Sequence, residues 1–443
     1  MSWKKIFMAL TMGLLMSVTA EAAIAPTVID KGIFDGGIVR VTGIADVYGD
    51  GEKVSTAIVQ YPKAINPKSV SPDDFSIDGR IIDAVFVNEK PEPVKKSVVG
   101  AYVILKLRHE NTAFDGELKP RKNSPRGGDA PMRSDRKAPD LKFSVQQVGT
   151  VVAADGTTYF PAMTSVESST VSCPTLERFQ QLEYTSPDGV TMPYNIYLPR
   201  NYSSERTYPM VVFIPDASAN INDVKTPLFQ GNGATVWTSP SEQRKHECIV
   251  LAPQYTADLV DKLGMMTTDE HQWTPGLELV SNLIFDAAQR FRVDPERIYG
   301  TGQSQGCMAN IAISDRYPEL FAAQLLVAGQ WNVEEMSALK NKKLWIVVCE
   351  GDTKAFPGMN AAVENWKALG AKVAVGEKFL DSKAPLVELN KELKALEAKG
   401  ADINYSVFAG GNHMYTWSFA YNLSALRDWL FRQKLDKPLD VEP

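Results

Sequence analysis

The chain has 443 residues, which is long enough for two domains, and its contents of 44% hydrophobic and 23% charged residues are ordinary for a globular protein. The net charge is −6 and the isoelectric point is about 5.5. Nucleic acids and anionic membrane surfaces bind basic proteins, so this acidic balance excludes both as expected partners.

The N-terminus has the pattern of an export signal. Lys4 and Lys5 precede an apolar stretch, Ile6–Ala20, that is short for a membrane span, and Ala-Glu-Ala at 20–22 is a small-x-small cleavage site. We therefore predict a signal peptide over residues 1–22 and a secreted or periplasmic protein, with an uncleaved anchor as the alternative. No later stretch has about 18 consecutive apolar residues, so no stable membrane insertion is expected after cleavage.

Residues 23–170 contain short strand-like runs separated by Gly, Pro, Asp and Asn, and no long stretch with helical periodicity. This spacing is typical of an immunoglobulin-like β-sandwich. Residues 110–140 interrupt the pattern with charge, Pro and Gly, which predicts a mobile insert. The segment YGDGEKV, residues 48–54, is acidic but lacks the spacing of a calcium loop, so a plain turn is expected.

Residues 171–443 alternate apolar strands with helical stretches, which indicates a mostly parallel sheet with helices on both faces. Apolar residues recur at helical spacing within LELVSNLIFDAAQRF, residues 277–291. The predicted strands are YPMVVFIPD, CIVLAPQY, RIYGTG, AAQLLVAGQ, KLWIVVCEG and INYSVFAGG.

One motif in this half carries chemistry. Gly-Gln-Ser-Gln-Gly at 302–306 lies between a predicted strand, residues 297–301, and a predicted helix, residues 305–316. A serine on such a strained strand-to-helix turn is the nucleophile elbow of α/β hydrolases, and the small residues let strand and helix approach each other. An ordinary glycine-bounded turn is the alternative.

A nucleophilic serine needs a base and an acid that orients the base. In this fold the chain order is serine, acid, histidine. His413, in FAGGNHMYTW, is the only histidine after Ser304. Asp352 directly follows the predicted strand KLWIVVCEG and is the predicted acid, with Glu350 as the alternative. Asp381 and Asp402 are expected to be solvated loop charges.

The chain has four cysteines, Cys173, Cys248, Cys307 and Cys349, and none has CxxC spacing, so they form no disulfide scaffold. Whether any of them pair stays open at this point. Cys307 is a weaker candidate nucleophile than Ser304, because it falls inside the predicted helix.

The sequence from Cys173 to Leu430 resembles an α/β hydrolase of the secreted esterase and predicted-peptidase group. The resemblance is carried by VDPERIYGTGQSQG, LAPQY, EGDTKAFPGM and GGNHMYTW. VSPDDFSIDGR and GAYVILKL are similar to the immunoglobulin-like domain that precedes such esterases. The resemblance implies Ser304 as nucleophile, Asp352 as acid and His413 as base, with no metal and no organic cofactor.

Two departures from that group affect the oxyanion hole. Pro215-Asp216 stands where many relatives have His-Gly, and proline has no amide donor. The resemblance therefore implies an oxyanion hole made by the amides of Asp216 or Ala217 together with that of Gln305, with the Asp216 carboxylate turned away. Gln305-Gly306-Cys307 replaces the usual Met-Gly-Gly, which matters little because position 305 acts through its backbone.

Three residues at predicted sheet ends are candidates for substrate binding, with packing as the alternative for each: Trp273, Gln330 and Trp331. His271 is expected to be a surface loop residue, and no spacing supports a metal site of His246 with His271.

The sequence thus predicts an exported serine hydrolase acting on small carboxylic esters with short acyl groups. A serine peptidase of the prolyl-oligopeptidase-like type is one alternative, and a non-catalytic envelope or carbohydrate-binding protein is another. Assembly into a homo-oligomer through the immunoglobulin-like domain is a further expectation. The natural ester stays open.

Overall fold

The computed structural model describes residues 37–116 and 136–439. The predicted signal peptide, residues 1–22, lies outside this part, and so do residues 117–135 of the predicted insert. No helix within the described ranges is both long and apolar enough to cross a membrane.

The N-terminal domain is built from strands that form two facing sheets and a small hairpin. The strands are β1 (Arg40–Tyr48), β2 (Gly51–Ile65), β3 (Phe75–Ile77), β4 (Ile82–Asn88), β5 (Gly100–Leu107), β6 (Ser144–Gln147), β7 (Val151–Val152), β8 (Thr158–Tyr159), β9 (Val166–Glu167) and β10 (Thr170–Ser172). One sheet has the order β10-β1-β2-β5-β4, another has β3-β6-β9, and β7 pairs with β8. Buried residues of both sheets, such as Val59, Val103 and Val145, share one core, as a β-sandwich requires.

The first sheet of the N-terminal domain includes β10, which lies at the predicted domain boundary. β10 pairs in parallel with β1, with Thr170 opposite Thr42, so the first sheet extends to Ser172. The prediction placed the boundary after residue 170, where the composition changes. Strand pairing with a segment about 130 positions earlier gives no such local signal.

The C-terminal domain contains a nine-stranded sheet and helices. Its strands are β11 (Gln180–Thr185), β12 (Thr191–Tyr197), β13 (Tyr208–Ile214), β14 (Ile249–Pro253), β15 (Val293–Gln303), β16 (Ala323–Val327), β17 (Leu344–Cys349), β18 (Val373–Val375) and β19 (Ile403–Phe408). Its helices are α1 (Thr226–Phe229), α2 (Pro240–Lys245), α3 (Ala257–Leu263), α4 (Pro275–Arg290), α5 (Gln305–Arg316), α6 (Val333–Met336), α7 (Ala355–Ala368), α8 (Leu386–Glu397), α9 (His413–Ala420) and α10 (Ser424–Phe431).

The order in this sheet is β11-β12-β14-β13-β15-β16-β17-β19-β18. The pairs from β14 to β18 are parallel, and the β11–β12 end is antiparallel. All six predicted strands are present, and α5 has the predicted bounds. β11, β12 and the three-residue β18 lie outside those six apolar runs.

The sheet is buried on both faces. Along β13, Met210, Val212 and Ile214 belong to one hydrophobic core, whereas Val211 and Phe213 belong to the other. Helices cover both cores, which explains the near-continuous apolar strands. Parallel strands bring their carboxyl ends to one edge, and the chain leaves this edge into the segments that carry Asp216, Ser304, Asp352 and His413.

Candidate active site

Ser304 lies between the end of β15 and the start of α5, in a backbone conformation that non-glycine residues rarely adopt. Its φ is 52° and its ψ is −117°. Such a residue costs about 1–3 kcal/mol and persists only where the surrounding structure enforces it. The strain holds the serine on a sharp turn at the carboxyl edge of the sheet, with the N-terminus of α5 directly behind it.

Gly306 shows why the turn needs a small residue. A Cβ atom at this position would lie 1.8 Å from the carbonyl oxygen of Ile214, at the end of the neighbouring strand β13. The first turn of α5 therefore approaches β13 more closely than any side chain allows. The glycine is required by this contact, because its own φ is not in the left-handed region.

Three side chains form a hydrogen-bonded chain across the edge of the sheet. His413 Nε2 lies 2.7 Å from Ser304 Oγ, and His413 Nδ1 lies 2.6 Å from Asp352 Oδ2. With the carboxylate accepting at Nδ1–H, Nε2 is left as the acceptor for the serine hydroxyl. This tautomer, assigned from the network, is the one in which the imidazole can accept the proton of Ser304.

Asp352 is fixed and kept ionised by its surroundings. It is 1% exposed, and its Oδ1 accepts hydrogen bonds from the backbone N–H groups of Lys354 and Ala355. Burial alone raises the pKa of Asp352, but the hydrogen bond and charge of His413 and these two N–H donors outweigh burial. The pKa of this carboxyl therefore lies below its ordinary value.

Glu350, the alternative acid, and Cys307, the alternative nucleophile, lie outside this chain of hydrogen bonds. Glu350 is exposed, and its Oε2 accepts a hydrogen bond from the backbone N–H of Gly410. Cys307 is fully buried in the first turn of α5, and burial raises the pKa of its thiol. A buried neutral thiol is a poor nucleophile. All four cysteines are free thiols in the structure.

The segment after β13 carries a second buried carboxylate, Asp216. It is 5% exposed, and its Oδ1 accepts from the backbone N–H of Ser218 at 2.8 Å. Its Oδ2 accepts from the side-chain amides of Gln230 at 2.9 Å and Gln303 at 2.8 Å. Because Gln303 precedes Ser304, this carboxylate connects the segment after β13 to the elbow.

The backbone N–H groups of Asp216 and Ala217 make no hydrogen bond among the described residues. Gln305 is the first residue of α5, where a backbone N–H has no intrahelical acceptor. Three unpaired donors thus lie on the two segments that the Asp216–Gln303 hydrogen bond joins. They are the residues that the sequence proposed for an oxyanion hole.

The three predicted substrate residues have different surroundings. Trp331 is 3% exposed, and its indole N–H donates to Glu335 at 2.5 Å, which favours a packing role. Trp273 packs edge-on to Tyr317, just past the far end of α5 and about 18 Å along the helix from Ser304. Its surroundings also favour packing.

Gln330, the third candidate, lies at the carboxyl edge of the sheet, which also carries Ser304. It follows β16, and it packs against Gly358 in the first turn of α7, the helix that begins just after Asp352.

Residues 267–271, between α3 and α4, also contact this edge, and the sequence did not predict their contribution. Asp269 forms an ion pair of 2.9 Å with Lys354, two residues from Asp352, and Thr267 contacts Met308 of α5. His271 is half-buried, has φ 55°, and places its ring 5.0 Å from that of Trp331. His271 is therefore more buried than the surface loop residue that the sequence predicted. No sequence pattern around His271 predicts its burial or its positive φ.

Within the described ranges, Glu242, His246 and Asp428 have ligand atoms close enough to share a metal ion. Arg427 already pairs with Glu242 at 3.1 Å, and Lys245 pairs with Asp428. These two cations supply the positive charge that a metal would bring, so the donor set does not fit a metal site.

Comparisons with known proteins agree with this architecture. Residues 40–160 match the family described as the esterase Ig-like N-terminal domain. The N-terminal domain is an esterase Ig-like domain. A comparison with curated proteins finds no match to the chain.

Among solved structures, the chain is similar to a thermostable esterase, with 23% sequence identity and a TM-score of 0.68 over 90% of this chain and 100% of that one. It is also similar to a mutant of the feruloyl esterase module from Clostridium thermocellum, with 15% identity and a TM-score of 0.40 over 59% and 90% of the two chains. The first likeness and the observed topology confirm the expected fold: an α/β hydrolase preceded by an Ig-like β-sandwich.

Proposed function

We propose that the protein is a serine hydrolase that cleaves carboxylic esters through an acyl-enzyme. The observation that carries the proposal is the chain of hydrogen bonds from Ser304 Oγ through His413 to Asp352. The esterase Ig-like domain over residues 40–160 and the likeness to the fold of a thermostable esterase support the same class of activity.

The proposed reaction begins when His413 Nε2 takes the proton of Ser304 and the serine oxygen attacks the ester carbonyl carbon. The tetrahedral intermediate collapses as the protonated His413 gives its proton to the departing alkoxide, which leaves as the alcohol. Water, deprotonated by His413, then attacks the acyl carbon, and collapse of the second intermediate returns the proton to Ser304. Asp352 keeps the imidazole oriented and stabilises its charge.

The negative charge on the tetrahedral oxygen needs donors that are already in place. We assign these to the backbone N–H of Gln305 and to that of Asp216 or Ala217, which have no other acceptor in the described part of the chain. The Asp216 carboxylate would oppose an oxyanion, but both of its oxygens are occupied by three donors. Its hydrogen bond to Gln303 holds the two halves of the hole together.

Short acyl groups are the proposed substrates. The exposed Lys354–Asp269 ion pair borders the catalytic edge near Asp352, and a long aliphatic chain passing there would desolvate these charges. Gln330, at the same edge, is the proposed contact for the bound ester.

The test compares kcat/KM for p-nitrophenyl acetate or butyrate, p-nitrophenyl palmitate and a set of peptide p-nitroanilides. The proposal expects the short esters to react fastest. Faster turnover of the anilides would favour a peptidase, faster turnover of palmitate would favour a lipase, and no turnover with intact protein would favour a binding protein.

Export, with cleavage after residue 22, and self-association through the Ig-like domain also stand as proposals. Sequencing the N-terminus of the protein recovered from the extracellular or periplasmic fraction tests the first. Light scattering of the full chain at several concentrations tests the second.

A further inference from the structure

Asn412, the residue before His413, connects the histidine to the N-terminal domain. It is 4% exposed, and its side-chain Oδ1 accepts a hydrogen bond of 2.9 Å from the backbone N–H of Tyr415. Asn412 therefore caps α9, whose first residue is His413. His413 therefore directly follows the residue that caps its own helix.

The other end of the same amide contacts the Ig-like domain. Asn412 Nδ2 donates to the carbonyl oxygen of Phe114 at 2.6 Å and to that of Gly116 at 2.7 Å. Both N–H bonds of the amide are thus used, and both acceptors come from a segment that follows β5. A helix cap needs only the Oδ1 contact, so capping does not explain these two hydrogen bonds.

The acceptor segment is itself anchored by Asp50, in the turn between β1 and β2. Asp50 accepts from the backbone N–H of Thr112 at 2.7 Å and its hydroxyl at 2.9 Å, from His109 Nε2 at 2.8 Å, and from Lys53 at 2.9 Å. The Asp50 carboxylate is 3% exposed. The YGDGEKV turn therefore orders residues 109–112, beside the two carbonyls that Asn412 contacts.

The same turn packs against α9 at a second point. A Cβ atom on Gly49 would lie 1.8 Å from the carbonyl oxygen of Ser418, so the turn meets the helix backbone directly. Asn111 Nδ2 also donates to Ser418 Oγ at 3.2 Å. The Ig-like domain thus holds α9 near both ends, and His413 begins that helix.

We infer that Asn412 is a positioning residue through which the Ig-like domain sets the orientation of His413, an inference that rests on the proposed function. The connection runs from Asp50 to Thr112, then to the Phe114 and Gly116 carbonyls, then to Asn412 and the imidazole. In this connection the described part of the Ig-like domain contributes no reacting group. The Ig-like domain fixes the orientation of the His413 imidazole.

The first test uses Asn412→Ser and Asn412→Asp in the full chain. Serine and aspartate cap helices about as well as asparagine, but serine is too short to reach the two carbonyls and aspartate has no donor for them. Displacing a catalytic group by about 1 Å costs up to about 100-fold. We expect kcat for p-nitrophenyl acetate to fall about 10- to 100-fold, with KM within about twofold.

The second readout needs no turnover. The Nδ1 proton of His413, hydrogen-bonded to Asp352, should give a far-downfield proton NMR signal that is absent from His413→Ala. We expect Asn412→Ser to broaden or abolish it. If the wild type hydrolyses no ester, the proposed function fails, and this signal still decides whether Asn412 positions the imidazole.

Two further variants locate the effect. Asp50→Ala removes the anchor of the segment, and we expect a fall in kcat that adds little in combination with Asn412→Ser, because both act on one connection. Asp115→Asn is the matched control: it removes the ion pair with Lys383 from the same segment but leaves the two carbonyls, and kcat should stay within about twofold.

Wild-type kcat and an unchanged His413 signal in Asn412→Ser would overturn the inference. An equal loss in Asp115→Asn would also overturn it, because the effect would then belong to the segment as a whole. If Asp50→Ala fails to fold, the Asn412 variants decide the question alone.

Discussion

Two buried carboxylates lie on opposite sides of β15, the strand that ends before Ser304, and their hydrogen-bond partners differ in kind: Asp216 follows β13 and Asp352 follows β17. Asp352 accepts from an imidazole that can gain a proton, whereas Asp216 accepts only from two amides and a backbone N–H, which cannot change charge. One carboxylate can therefore stabilise a positive charge that forms on its partner. The other fixes geometry alone.

The difference shows that burial does not by itself assign a catalytic role to an acid. Both residues follow parallel strands at the same edge, and both are at most 5% exposed. What separates them is whether the hydrogen-bond partner can take up a proton, which an imidazole can do and an amide cannot. Substitutions at each carboxylate and at its partners test this difference.

The largest effect is expected on the Asp352 side of the comparison, at the base itself. His413→Ala leaves Ser304 without a proton acceptor, and removing such a member of a triad lowers kcat by about 10⁶-fold. Steady-state hydrolysis of p-nitrophenyl acetate measures this. A variant with near wild-type turnover would show that another group acts as the base.

Asp352→Asn should have the next largest effect on kcat. The amide can donate to Nδ1, which favours the wrong imidazole tautomer, so kcat should fall about 10⁴-fold. Glu350→Gln is the matched control, because Glu350 is exposed and its carboxylate accepts from the backbone N–H of Gly410, and it should stay within a few-fold of wild type. A crippled Glu350→Gln beside an active Asp352→Asn would reverse the assignment of the acid.

Asp216→Asn should have a smaller effect on kcat, about 10-fold, with KM little changed. The N–H groups of the new side-chain amide would face the side-chain amides of Gln230 and Gln303, which are themselves donors. An unsatisfied buried donor costs about 1–3 kcal/mol of stability. The double variant Asp216→Asn with Gln303→Glu restores a donor–acceptor pair in reversed order and should recover part of the loss. A loss as large as that of Asp352→Asn would mean that Asp216 does more than fix geometry.

The smallest effect concerns stability against pH. The folded-state pKa of Asp352 lies below its ordinary value, so its ionised form stabilises the fold above the unfolded-state pKa of about 3.9, and this contribution is lost as pH falls through the folded-state value. The difference in unfolding free energy between wild type and Asp352→Asn should therefore narrow between pH 5 and pH 3. Denaturant titrations at both pH values measure it, and a gap that widens would contradict the sign.

The sequence predicted the parts that local patterns encode. Apolar runs alternating with helical stretches indicated the parallel sheet, and Gly-x-Ser-x-Gly between a strand and a helix indicated Ser304 as the candidate nucleophile. Chain order then indicated Asp352 and His413, which the structure brings within hydrogen-bond distance. Each of these signals lies within a few residues or in the order of elements.

Other features depend on contacts between distant segments. Asn412 and Phe114 are 298 positions apart, and Asp216 and Gln303 are 87 apart, so no pattern in one sequence joins them. Burial of Trp331 and the position of Trp273 at the far end of α5 likewise follow from how loops pack. The Asp50 turn resembled an ordinary turn because its partners, residues 109–112, lie in another loop.

Covalent labelling at Ser304 tests the proposed triad most directly. The full chain is treated with a fluorophosphonate, and the modified peptide is identified by mass spectrometry, with Ser304→Ala as the control. We predict one phosphonyl group per chain, attached to Ser304, and none on the variant. Labelling of Ser304→Ala at the wild-type level, or modification of Cys307 in place of Ser304, would contradict the assignment of the nucleophile.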